Sequence, residues 1–262
     1  MTPTATPASV FGNISTRLRV ETGDNALIGG FIITGTQQKR VIVRAIGPSL
    51  SGIFPDALAD PTLELRDSSG GLIMSNDNWR DTQEAEIIAT GIPPSNNLES
   101  AIVATLGANS SAYTAIVRGA DNATGIGVVE AYDLNQAANS KLANISTRGF
   151  VQTGNDVLIG GIIVLGQSPL RVIVRAIGPS LPISGVLADP TLELRNGNGD
   201  LLASNDNWRD TQEAEIIATG LPPTNNMESA IVQNLSAGNY TAIVRGKNDT
   251  IGIAVVEAYN LN

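Results

Sequence analysis

Ser75-Asn76-Asp77-Asn78-Trp79-Arg80-Asp81 places four oxygen-bearing side chains, Asn76, Asp77, Asn78 and Asp81, around one of two tryptophans in the chain. The stretch returns as Ser204-Asn205-Asp206-Asn207-Trp208-Arg209-Asp210, and identity continues unbroken from 75–91 to 204–220. Hard oxygen ligands crowded on one loop suit calcium. The spacing is not that of an EF-hand, however, and the central glycine of that motif is missing. The competing reading is an Asx-rich turn that bonds its own backbone and caps a following helix; it takes precedence over calcium. Trp79 and Trp208 could be exposed platforms for a glycan, but a tryptophan beside a helix more often plugs a core. Glu84 with Glu86, or Asp77 with Asp81, would be the carboxylate pairs available for glycoside hydrolysis. Residues two apart on a helix do not face each other.

Composition narrows the chemistry further. The chain has no histidine and no cysteine. That removes the serine–histidine and cysteine–histidine mechanisms, imidazole and thiolate metal sites, and disulfides. The expectation is a non-catalytic protein without a cofactor, calcium being the one cation to consider. A formal net charge of −9 argues against nucleic acid and anionic membrane surfaces, which need a basic face. No apolar run approaches the roughly 20 residues of a membrane-spanning helix, so no membrane insertion is expected.

The elements that must carry the loop also come twice. Asn13-Ile14-Ser15-Thr16-Arg17 returns as Asn144-Ile145-Ser146-Thr147-Arg148, and Val128-Val129-Glu130-Ala131-Tyr132 as Val255-Val256-Glu257-Ala258-Tyr259. This period is too long for a solenoid unit and suits a complete small domain. The division expected is a Thr/Pro-rich segment at 1–9 that reads as the linker of a longer chain, repeat one at 10–135, a short linker at 136–141, and repeat two at 142–262. Within each repeat, β-branched runs alternate with turn signals. Gly29-Gly30 inside a strand suggests a bulge or a close backbone approach. Asp67-Ser68-Ser69-Gly70-Gly71 and Asn196-Gly197-Asn198-Gly199-Asp200 read as hairpin turns. Residues 82–90 read as one short helix, capped by Asp81 or Thr82 and ended by Gly91. The fold class expected is all-β: two tandem, jelly-roll-like β-sandwich domains of about eight strands, each with one short helix.

Charges sit inside several strands. Arg44 shares a face with Ile42 and Ile46, and Glu130 with Val128 and Tyr132. Charges so flanked need partners. Structural pairing is therefore predicted among Arg44, Glu64, Arg118 and Glu130, and again among Arg175, Glu193, Arg245 and Glu257. The sequons at Asn13, Asn122, Asn144 and Asn239 are of the number that chance supplies in a chain rich in Asn, Ser and Thr.

The run "DPTLELRD", a hairpin, "SNDN", "YTAIVRG" and "VVEAY" resembles the bacterial pre-peptidase C-terminal domain over the latter two-thirds of each repeat. The helical insert at 81–91 is a departure from that family. The whole repeat, from "NISTR" through "TGDNALIGG" and "VIVRAIGPSL", is similar to a module that recurs in large secreted proteins of environmental bacteria. These resemblances imply an extracellular or cell-surface β-sandwich with a role in adhesion, display or assembly. Partners expected are copies of itself or neighbouring modules, including in a fibre. The alternative is a carbohydrate- or calcium-dependent binding module, with glycans as ligand, attached to a larger secreted enzyme.

Overall fold

The structure, a computed structural model, describes residues 9–262. The expected linker at 1–9 lies, apart from Ser9, outside the described residues. Repeat one contributes β1 (Val10–Val20), β2 (Leu27–Gly35), β3 (Lys39–Ile46), β4 (Pro61–Asp67), β5 (Leu72–Asn76), β6 (Ser100–Leu106), β7 (Ser111–Gly119) and β8 (Gly125–Asp133). Repeat two contributes β9 (Ser140–Val151), β10 (Leu158–Leu165), β11 (Leu170–Ile177), β12 (Pro190–Asn196), β13 (Leu201–Asn205), β14 (Ser229–Leu235), β15 (Gly238–Gly246) and β16 (Gly252–Asn260). One helix sits between the fifth and sixth strands of each repeat, α1 (Glu84–Ala89) and α2 (Glu213–Ala218). No helix among the described residues is long and apolar enough to cross a membrane.

Alternation sets the strand faces. In β2 buried and half-buried residues alternate along Leu27–Thr34, as a two-residue period demands. The β4–β5 turn is closed by Asp67, whose carboxylate accepts the amides of Ser69 and Gly71, each at 2.9 Å. Those bonds hold the Asp67 carboxyl below its usual range, the Ser69 hydroxyl contributing most. Gly70 takes the left-handed backbone (φ +82°) that the turn requires. Asn196 and Gly199 repeat the device between β12 and β13.

Pairing within repeat one runs β1-β8-β3-β6 in one sheet and β2-β7-β4-β5 in the other. That is a jelly-roll order, and repeat two copies it. The expectation of two self-sufficient sandwiches needs correction, because the sheets do not stop at the repeat boundary. β1 also pairs with β10 of repeat two, and β2 with β9. Each sheet therefore continues from one half of repeat one into the opposite half of repeat two. A single contiguous core holds Phe11, Leu18 and Val43 together with Leu142, Ile162 and Val174.

Equivalent residues meet each other at this seam. Phe11 pairs with Leu142, and the buried hydroxyls of Thr16 and Thr147 hydrogen-bond at 2.7 Å. A contact between equivalent positions marks a pseudo-twofold axis and a self-complementary interface. The paired glycines belong here. No bulge occurs at Gly29-Gly30, where the register runs unbroken. A Cβ at Gly30 would lie 3.1 Å from the Ser146 carbonyl, and one at Gly161 would lie 2.4 Å from Ser15 Oγ. Gly30 and Gly161 thus face a strand of the other repeat, whereas Gly29 and Gly160 face Val129 and Val256 in the opposite sheet of their own repeat. β9 begins at Ser140, inside the expected 136–141 linker, for the same reason: Gly35 pairs with Ser140.

Candidate functional site

The duplicated loop covers the end of a sheet. β6 pairs with β3 on one side only, which leaves its outer amides and carbonyls without a strand. Asn76 Oδ1 accepts the Ala101 amide at 2.9 Å. Gln83 faces Val103 as a second backbone would: Oε1 accepts the amide at 3.0 Å, and Nε2 donates to the carbonyl at 2.9 Å. The Trp79 amide donates to the Glu99 carbonyl at 2.9 Å. Two side-chain amides thus stand in for a neighbouring strand. Asn205, Gln212 and Trp208 do the same for β14.

This placement corrects the capping expectation. α1 begins at Glu84 rather than Thr82, and neither Asp81 nor Thr82 caps it; Gln83, in the capping position, makes no side-chain cap bond. Its amide is used on β6 instead. Asn78 Nδ2 donates to Asp81 Oδ2 at 3.2 Å, a local bond copied by Asn207 and Asp210 at 3.1 Å. Gly91 ends the helix with φ +77°. Among the described residues, no three acidic side chains close on one point as metal ligands. The eight Asn and Asp residues considered for calcium are therefore divided: Asn76 and Asn205 serve strand edges, Asn78, Asp81, Asn207 and Asp210 serve the turn, Asp206 accepts the Lys247 ammonium, and Asp77 is exposed.

Trp79 and Trp208 are each 2% exposed, so neither is a sugar platform. Trp79 packs with Ile42, Ile87, Ala101 and Val103 on the outer face of β3 and β6. Its indole N–H donates to the Asn96 carbonyl at 3.0 Å. The Arg80 guanidinium lies over the ring at 4.1 Å. The helix and tryptophan together form a third layer on that sheet.

The strand charges are found in two settings. Arg44 and Glu130 pair across β3 and β8, with Nε at 3.1 Å from Oε2, while Arg44 Nη1 donates to the Ile92 carbonyl at 2.8 Å. Arg175, Glu257 and the Leu221 carbonyl repeat this. Tyr132 and Tyr259 lie under the two guanidiniums, at 5.1 and 5.2 Å. Burial, with the neighbouring glutamate charge behind it, pushes both phenols above their ordinary range. Glu64 instead joins Arg66 at 2.8 Å and Arg118 at 3.6 Å, and Glu193 joins Arg195 at 2.8 Å and Arg245 at 3.5 Å. These last groups are about one-third exposed or more, so they add little stability.

Three important groups escaped the sequence reading. Glu99 is fully buried, and its carboxylate accepts the amides of Gly47, Ser49 and Asn96 at 3.3, 3.0 and 3.2 Å. It pins the Gly47-Pro48-Ser49 turn to the loop that covers β6; Glu228 does so in repeat two. Lys39, also fully buried, donates to Asp133 at 2.8 Å and to the Asn135 carbonyl at 2.7 Å. Lys247 bridges Asp206 at 2.6 Å and Asp189 at 3.5 Å. Glu99 had a signal, since its Glu-Ser-Ala-Ile-Val context returns at Glu228. Lys39 and Lys247 had none, because each occurs in one repeat alone.

No family model and no curated protein matches the sequence. Among solved structures, the chain is similar to the tandem CBM51 modules of a family 98 glycoside hydrolase from Streptococcus pneumoniae. Identity is 10% over 88% of this chain and 84% of that one, with a TM-score of 0.26. It is also similar to a DUF4785 family protein from Legionella pneumophila, at 8% identity over 94% and 83% of the two chains, with a TM-score of 0.24. Likenesses this loose carry no argument about function.

Proposed function

We propose that this chain is a non-catalytic structural module of an extracellular or cell-surface protein, which lines up with copies of itself or with neighbouring modules through its outer strands. One observation carries the reading: the four sheet ends are finished unequally. The duplicated loop covers β6 and β14. β5 and β13, the other two ends, each pair on one side only. They also carry exposed aliphatic side chains, Leu72 at 55%, Ile73 at 39%, Leu201 at 51% and Leu202 at 39%. An uncovered strand edge with apolar side chains is a template for pairing between chains. Because the open ends lie one on each continuous sheet, pairing at both extends the sheets from molecule to molecule, and a fibre is the product.

Sedimentation and negative-stain microscopy over rising concentration test this. The full chain is expected to form linear oligomers. Lysine at Leu72, Ile73, Leu201 and Leu202, all surface positions, is expected to leave folded monomers. A wild-type chain that stays monomeric at millimolar concentration overturns the reading.

A further inference from the structure

The two repeats differ at the seam, where each presents an arginine to a loop of the other. Arg17 of β1 and Arg148 of β9 are equivalent, each ending the Asn-Ile-Ser-Thr-Arg run. In repeat one the space beside the arginine is filled from within. The Arg17 guanidinium lies 4.5 Å from the centre of the Phe54 ring and donates to the Asn155 carbonyl of repeat two at 3.3 Å. Two residues on, Arg19 ties down the loop of Phe54 through Asp56 at 2.6 Å and pairs with Glu21 at 3.1 Å.

Repeat two keeps none of these fittings. Phe150 stands at the position of Arg19, and Gln152 at that of Glu21. Between Gly178 and Leu187, which lie together as Gly47 and Leu58 do, the chain is two residues shorter and has neither an aromatic nor an acidic residue. Arg148, half-buried, faces a groove of about 690 Å³ instead of a ring, and among the described residues its guanidinium has no hydrogen-bond or ion-pair partner. The walls come from both repeats: Asp24 and Asn25 from the turn after β1, Phe150 from β9, and Ile183 and Ser184 from the shortened loop. The volume is that of a small-molecule site.

We propose that this groove binds an acidic sugar, a hexuronate unit whose carboxylate pairs with Arg148 and whose ring lies on Phe150. A half-buried guanidinium without a partner is costly, and a planar carboxylate matches it with two parallel hydrogen bonds. The Asp24 carboxylate on the same groove opposes anions of higher charge, such as phosphate or sulfate. Phe150 and Ile183 offer apolar surface to the C–H face of a sugar ring. Asn25, Ser184 and Asp24 offer donors and acceptors to its hydroxyls. One negative charge, an apolar face and several hydroxyls are the features of a sugar acid. The proposal does not rest on self-association.

Calorimetric titration of the full chain with oligogalacturonate tests it, with galactose as the neutral sugar and acetate as the bare carboxylate. The wild type is expected to bind oligogalacturonate at one site per chain and the other two far more weakly. Arg148→Gln weakens binding by about tenfold or more. Arg17→Gln leaves it unchanged, because Arg17 already lies under Phe54. Replacing residues 182–186 with the sequence of 51–57, together with Phe150→Arg, copies repeat one and abolishes the site while circular dichroism stays that of the wild type. The proposal is overturned if oligogalacturonate gives no heat at millimolar concentration, if galactose or acetate binds as tightly, or if Arg148→Gln titrates as the wild type does.

Discussion

The two repeats carry the same loop in the same geometry but keep their charges in different places. Repeat one buries Lys39 against Asp133, where repeat two has Leu170 and Asn260. Asn260 keeps one part of the arrangement, accepting the Asn262 amide as Asp133 accepts that of Asn135. Repeat two spans Asp189 and Asp206 with Lys247, where repeat one has Ala120. What never changes is the covering of the β6 and β14 edges, the Glu99 and Glu228 anchors, and the Arg44–Glu130 and Arg175–Glu257 pairs. The contrast teaches that edge satisfaction and packing define this fold, while an isolated ion pair is exchangeable.

The likeness between repeats should be hardest to break at the tryptophans. Trp79→Ala and Trp208→Ala each empty a fully packed outer layer and should each cost about 3–5 kcal/mol. Urea unfolding should return nearly equal losses. A large inequality would mean that the two covers do different work despite identical sequence.

The difference between repeats sharpens at Lys39. Asp133→Asn leaves a buried ammonium without its counter-charge and should cost about 3–5 kcal/mol. Lys39→Leu combined with Asp133→Asn transplants the solution of repeat two. The double variant should recover to within about 1 kcal/mol of the wild type or exceed it, since well-packed apolar groups commonly replace a buried pair at no loss. Failure to recover would show that the pair does more than neutralise itself.

Gln83→Ala and Gln212→Ala come next. Each strips two bonds from a strand edge and should cost about 1–3 kcal/mol. Each also opens an edge the loop had closed, so sedimentation should show more association than the wild type. Unchanged association would mean that these glutamines are not what keeps β6 and β14 unpaired.

Much of this was legible in the residues. A β-rich apolar run marked β2, period-two alternation marked β4, and the turn residues from Asp67 to Gly71 marked the β4–β5 hairpin, because these are local effects. The helix and the burial of Trp79 were legible for the same reason. The destination of the loop's amides was not: Gln83 and Ala85 look like helix to any local rule, and only the approach of β6 makes Gln83 a strand surrogate. The crossing of strands between repeats was hidden too. Gly29-Gly30 announced a close approach without saying which strand approaches. Pairing of β1 with its own β8 and with the foreign β10 satisfies the same alternation, so side-chain pattern cannot tell a closed sandwich from a shared one.

The smallest effect separates the repeats by pH. The Asp60 carboxyl is raised in the folded state by burial and by Asp77 and Asp121. Between the unfolded value and this raised one, the folded chain holds more protons than the unfolded chain, so stability falls as pH rises through that window. Lys247 acts in a different pH window with the same sign. Its hydrogen bond to Asp206, with Asp189 nearby, raises its ammonium above the ordinary lysine range. The stability it lends is whole below the unfolded lysine value and is lost as pH climbs through the folded one. Repeat one should therefore shape the acid arm of the stability profile and repeat two the alkaline arm. Melting temperatures of the wild type, Asp60→Asn and Lys247→Met across both arms check this. Asp60→Asn should flatten the acid slope alone, and Lys247→Met the alkaline slope alone. If both variants altered the same arm, the two carboxylate clusters would not be the independent sites that the shared sheets hold apart.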